Sequence, residues 1–187
     1  MKLPVFATWL LLFSSWQALS QVPAEYIWRE AGIAIRMPGK PVTGFPPMGT
    51  DNYQATPRAG NQVASSVHYD WYLVQYEPLT GNHIDDVKWQ LDRVRKNFLT
   101  AGGFRRAPND VSETAISLEG NPGTDIRALY IHMYKEHFAL RVFIVKSQKK
   151  IYTVATGTRT FDMSAREETI LEQRFAAFLN SFRLIKQ

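Results

Sequence analysis

TDIRALYIHMYKEHFALRVFIVKSQKKIYTVAT, residues 124–156, contains three runs of β-branched and aromatic residues separated at YKEH and SQKK, where polar residues favour short turns. It reads as three consecutive antiparallel strands. A strand with one wet face alternates apolar and polar residues. In the middle run, however, Phe138, Leu140, Val142 and Ile144 share one face, and Ala139, Phe143 and Val145 share the other with only Arg141 interrupting. A sheet that is apolar on both faces has to be covered twice. Helices are therefore expected on both sides of a largely antiparallel sheet, a three-layer α/β/α sandwich of the α+β class.

Upstream, YIWREAGIAIRM at 26–37 alternates at Ile33, Ile35 and Met37 and predicts a strand, ended by Pro38-Gly39. From Pro41 to Gly60 the chain has four prolines, three glycines and little periodicity, which suits a long loop or loose hairpin with a short strand at 52–56. Residues 62–76, QVASSVHYDWYLVQY, read as one further strand with His68, Asp70 and Tyr72 on one face and Trp71 on the other. Asn82 is the expected cap of a first helix, whose stripe Ile84, Val87, Leu91, Val94 and Phe98 faces the sheet and which ends at Gly102-Gly103. Its cations Arg93, Arg95 and Lys96 complement the helix dipole. DVSETAISLE at 110–119 predicts a strand, Asn121-Pro122-Gly123 a turn. Ser164 and Glu167 form an S-x-x-E capping box for a terminal helix over about 165–180. Leu171, Phe175 and Phe178 mark its packed face and Arg174 lies on its more polar side.

The candidates for chemistry are few. His68 and Asp70, two apart on one strand, have the geometry of a minimal acid/base or metal pair, but a metal site needs a third ligand and none stands at readable spacing. A hairpin between the first two of the three central strands brings His132 toward His137, again without an orienting carboxylate at fixed spacing. Trp71, Tyr72 and Trp89 are the residues expected to line any cavity between sheet and helix. The sequence contains no hydrolase elbow, phosphate loop, dinucleotide fingerprint or zincin motif. No catalytic residue, metal or cofactor is expected from it.

Residues 1–20 read as a signal peptide: Lys2 gives the positive start, Val5 to Phe13 is mostly apolar, and Ala18 and Ser20 supply small residues for cleavage. That apolar run is about half the roughly 20 residues that span a bilayer. Removing 20 of 187 residues leaves 167, residues 21–187, a length suited to one domain and with no later membrane-spanning run. The chain has no cysteine, which excludes disulfides, thiolate metal sites, thiol nucleophiles and lipid-modified cysteine. A formal charge of +5, or +4 without Lys2, falls short of a nucleic-acid footprint.

Taken in order, five features resemble the PsbP-like α/β/α sandwich superfamily: I-R-M-P-G-K-P, the strand-to-helix unit near Asn82, N-P-G-x-D-I-R at 121–127, K-I-Y-T-V, and F-L-N-S-F-R-L at 178–184. That superfamily includes photosystem extrinsic subunits, a Ran-binding nuclear-transport factor and many exported bacterial proteins. The resemblance spans most of residues 21–187 and implies a domain that docks onto a protein partner, in the cell envelope or outside the cell, with no catalytic motif to carry over. Three functions stay open: an exported, periplasmic or secreted, non-catalytic interaction module; a small-molecule or lipid binder with a pocket between sheet and helix; and an enzyme whose site joins residues distant in sequence, from His68, Asp70, His132 and His137.

Overall fold

A computed structural model describes residues 25–38, 42–43, 62–67, 70–79, 83–101, 108–131, 135–161 and 163–186. In chain order the elements are β1 (Glu25–Trp28), β2 (Ile33–Arg36), β3 (Val42–Thr43), β4 (Gln62–Val67), β5 (Asp70–Pro78), α1 (Val87–Ala101), β6 (Asp110–Leu118), β7 (Asn121–Ile131), β8 (Lys135–Val145), β9 (Lys150–Thr160), α2 (Ala165–Asn180) and β10 (Arg183–Leu184). Seven strands make one antiparallel sheet in the order β3-β4-β5-β9-β8-β7-β6, while β1, β2 and β10 make a small second sheet.

The three runs of residues 124–156 are β7, β8 and β9, and β9 sits at the middle of the large sheet. Both faces are covered, as the double apolar pattern requires. Leu140, Val142 and Ile144 pack with Leu73, Ile126 and Ile151 beneath α1, whose Val87, Leu91, Val94 and Phe98 form the facing stripe. Ala139, Phe143 and Val145 pack on the opposite side with Tyr72, Tyr152 and Val154 beneath α2, where Leu171, Phe175, Phe178 and Leu179 are buried. The small sheet extends this second layer through Ile33, Ile35 and Met37, and β10, a strand the sequence did not suggest, joins the end of the chain to β2.

Local chemistry sets the element ends. Ser164 and Glu167 make the full reciprocal capping box, with the Ser164 hydroxyl accepting from the Glu167 amide and the Glu167 carboxylate accepting from the Ser164 amide. That second bond holds the Glu167 carboxyl below the usual range. At α1 the cap is Asp86, whose Oδ1 accepts from the Trp89 amide at 2.9 Å. Asn82 lies outside the described residues, as does Gly102-Gly103, and Ile84 is exposed in the turn before α1. The β8–β9 connection is a single 3₁₀ turn, Lys146–Gln148, closed by Lys149 in the left-handed region.

Several boundaries differ from expectation, the first two because a strand-like pattern continues across a tight turn. Residues 26–37 are not one strand but the β1–β2 hairpin, turned at Gly32 with φ 78°. Residues 62–76 are likewise two strands, since Val67 pairs with Asp70 and the chain reverses between them. The turn expected at 121–123 lies at Glu119-Gly120, both with positive φ, the type I′ geometry of a two-residue hairpin. Pro122 sits inside β7, where pairing with β8 has not yet begun, so its missing N–H breaks no ladder bond. Val42–Thr43 of the 41–60 segment pairs with β4; residues 44–60, with the strand expected at 52–56, lie outside the described residues.

Candidate functional site

The richest polar constellation lies between the sheet and α2. Strand register places Leu129, His137 and Thr158 in one row across β7, β8 and β9, and Arg127, Ala139, Thr156 and Tyr72 in the next. Alternation turns these side chains toward α2.

On the β7 flank, Asp125 receives Arg127 at 2.8 Å and Arg141 at 2.6 Å. Arg127 continues to Glu172 at 2.9 Å and Arg141 donates to Asn180 at 2.6 Å, so both arginines bridge sheet to helix. Burial pushes the Asp125 carboxyl up, but hydrogen bonds and charge from the two arginines outweigh it and hold it below its ordinary value. On the β5 flank, Asp70 is buried, and its Oδ2 accepts from Arg174 at 2.9 Å and from the Tyr72 hydroxyl at 3.3 Å. Burial first, and the Asp70 charge second, push the Tyr72 phenol far above the usual tyrosine range. Arg174 is thus no spectator on a polar helix side: it is the partner of a buried carboxylate.

Between the flanks lies His137. Its Nε2 is buried and has no hydrogen-bond partner among the described residues. Burial lowers its pKa below 6.5, Glu168 and Glu172 of α2 oppose that shift, and Lys135 adds to it. Both flanks clamp α2 to the sheet. Asp70 is taken by Arg174 and Tyr72, and no hydrogen bond joins it to His137. Among the described residues no group of three or more His, Asp or Glu is placed to hold a metal.

His68 and His132 lie outside the described residues. Because the chain reverses between Val67 and Asp70, the two-apart rule that put His68 and Asp70 on one face of a continuous strand does not apply to them. Trp71, Tyr72 and Trp89, expected to line one pocket, are dispersed to three places. Tyr72 faces α2, with its ring 5.0 Å from Phe178. Trp71 faces α1, packed with Phe98 and Phe138 and lying directly over Gly157. Trp89 is exposed on the outside of α1, stacked on His83 at 4.5 Å with Arg93 above it. Arg93 and Arg95 were expected to complement the dipole of α1, but no basic residue stands in its last turn; they pair instead with Glu77 at 2.7 Å and Glu113 at 2.9 Å. Arg174 was absent from the sequence candidates because no local pattern links residues 70 and 174; Asp125 and Arg127 stand two apart in N-P-G-x-D-I-R, and only the return of α2 gives that pair its partner Glu172.

A second feature is apolar. Ile131 ends β7, is 50% exposed, and shares a row with Lys135 and Thr160; Phe161, 80% exposed, follows directly. Two strand spacings separate Ile131 from Thr160, about 10 Å. Ile170, 45% exposed, lies in the second turn of α2, which begins at this same end. Lys135 is the row partner of Ile131, and Arg166 lies in the first turn of α2 with Glu167 and Glu168. Among the described residues no helix is long and apolar enough to cross a membrane.

No protein-family model matches the chain, and no curated protein matches it in sequence. Solved structures do match it in shape. A point mutant of the protein Mog1 aligns over 88% of this chain and 96% of its own with a TM-score of 0.52 and 8% identity. The Saccharomyces cerevisiae Ran-binding protein Mog1p aligns over 87% and 95% with a TM-score of 0.50 and 8% identity. Cyanobacterial PsbP from Synechocystis aligns over 86% and 91% with a TM-score of 0.50 and 12% identity. At such identities the likeness speaks to architecture alone, and the architecture is the PsbP-like α/β/α sandwich.

Proposed function

We propose that this chain is an exported, non-catalytic interaction domain that docks a protein partner on the end of the sandwich carrying Ile131, Phe161 and Ile170. The observation that carries this reading is that Ile131, Phe161 and Ile170 are exposed at one end of the sandwich, Phe161 the most exposed of the large apolar side chains among the described residues, while Ile27, Ile84 and Trp89 are exposed elsewhere. Lys135 is the row partner of Ile131, and the first turn of α2 adds Arg166, Glu167 and Glu168, so the apolar residues suit a partner with an apolar patch and a rim of mixed charge. The shared architecture with a Ran-binding protein is consistent with a docking role. The histidines and carboxylates named as candidate enzyme residues support catalysis less well, since Asp70 is engaged in holding α2.

Crosslinking pull-down from the exported fraction tests this. Wild-type protein and Trp89→Ala, altered far from the patch, are expected to capture the same partner, and Ile131→Ser/Phe161→Ser and Lys135→Glu are expected to lose it. Capture that is insensitive to the end variants overturns the docking site. Export has its own test: mass spectrometry of the secreted or periplasmic protein is expected to find Gln21 at the N-terminus. An intact Met1 there overturns it.

A further inference from the structure

β6 is the terminal strand of the large sheet, nine residues long, and Asp110, Ser112, Glu113, Thr114, Ala115 and Ser117 are exposed along it. It contains no proline and no lysine, and no bulge is needed to pair it from Asp110 to Leu118 with β7. Proline, lysine and bulges are among the devices that ordinarily blunt an edge; β6 lacks these three, and its charges are Asp110 at one end and Glu113, which Arg95 faces, so among the described residues the edge is able to pair.

The geometry says how it pairs. In a two-residue hairpin the residues flanking the turn form a hydrogen-bonded pair, here Leu118 and Asn121. Alternation then directs the N–H and C=O of residues 110, 112, 114, 116 and 118 toward β7, and those of Val111, Glu113, Ala115 and Ser117 outward. We infer that β6 joins antiparallel to β6 of a second copy of this chain, about a two-fold axis through Thr114. In that register Glu113 bonds Ala115 of the second copy and Val111 bonds Ser117, so every outward group of both strands is used. Shifting the axis by one residue loses one of these pairings, and shifting it to Glu113 also sets two carboxylates opposite each other. Centred on Thr114, no like charges stand directly opposite: Glu113 lies across from Ala115 and Asp110 from Leu118, and the two Glu113 side chains, diagonal across the axis, are each paired with their own Arg95 at 2.9 Å. An edge whose midpoint is also its register of best pairing fits an isologous dimer better than an unrelated strand. This inference is independent of the docking end, since the axis runs through the sheet edge and not through its end.

Two measurements test it. The chain has no cysteine, so Thr114→Cys introduces a single thiol. Across the axis the two Cα atoms stand about 4.5 Å apart, within the roughly 4.4–6.8 Å that a disulfide spans. Oxidation is expected to give a covalent dimer. Ser112→Cys, on the order of 14 Å from its own copy in this register, is expected to stay monomeric. Ala115→Pro removes one outward donor while leaving the pairing with β7 intact, and is expected to weaken the dimer roughly tenfold or more in sedimentation equilibrium, with an unchanged melting curve as the control for folding. Wild-type protein that sediments as a monomer at about 100 μM, where a dimer of micromolar affinity would be nearly complete, overturns the inference. So does equal crosslinking of Thr114→Cys and Ser112→Cys.

Discussion

Arg174→Ala removes the cation that stands 2.9 Å from the buried Asp70 carboxylate and, among the described residues, leaves it the Tyr72 hydroxyl at 3.3 Å. Breaking a fully buried ion pair costs about 3 to 5 kcal/mol, because a charge is left in a medium that solvates it poorly. Here the Arg174 side chain is itself 52% exposed, so water replaces part of what the guanidinium supplied. The expected loss is about 1.5 to 2 kcal/mol. A helix surface position without such a partner would cost about 0.5 kcal/mol or less, which is the value the sequence alone suggests for residue 174. Asp70→Asn tests the reason as well as the size. With the carboxylate neutralised, Arg174→Ala should cost no more than about 0.5 kcal/mol further, giving a coupling of about 1 kcal/mol or more in the double-mutant cycle. Urea titrations of the four proteins at pH 7 read this directly. If Arg174→Ala unfolds at the wild-type midpoint, or the two changes simply add, the buried carboxylate is not held by Arg174 and the β5 clamp is no clamp.

Three further outcomes are expected. Phe178→Ala deletes a buried ring packed on Tyr72 and should lower stability by about 3 to 5 kcal/mol in the same titration; a variant at the wild-type midpoint would make α2 an appendage. Gly157→Ala would place a Cβ 2.7 Å from Cζ2 of Trp71, whose indole is hemmed in by Phe98 and Phe138, so a loss of about 1 to 3 kcal/mol with altered tryptophan fluorescence is expected. Because burial lowers the folded-state pKa of His137 below its unfolded value near 6.5, the unfolded chain takes up that proton first as pH falls. Its contribution is fully present above that unfolded value and declines as pH drops through it toward the lowered one, and His137→Gln should flatten the slope of unfolding midpoint against pH there; an unchanged slope would count against it.

The sequence by itself determined the layers. A central run apolar on both faces cannot be solvated on either, so Leu140 and Phe143 alone imply cover above and below, and the 3.6-residue stripes of Val87–Phe98 and Leu171–Phe178 supply it. Ser164 and Glu167, three apart, carry their cap within one helical turn and were legible for the same reason. Signals of this kind are local, set by backbone periods. Hairpins at 29–32 and 67–70 escaped because alternation of faces survives a two-stranded reversal, and only the pairing partner reveals it. Asp70, Tyr72 and His137 were candidates by residue type, but what each of them meets depended on tertiary structure. Residues 70 and 174 meet because β5 borders β9 and α2 returns across that face; nothing in a one-dimensional pattern distinguishes an arginine facing water from one facing a buried carboxylate. The same is true of Trp71, Tyr72 and Trp89, whose shared chemistry suggested one pocket: neighbouring residues on a strand point to opposite faces, and here a full sheet separates the first two while the third lies outside the helix.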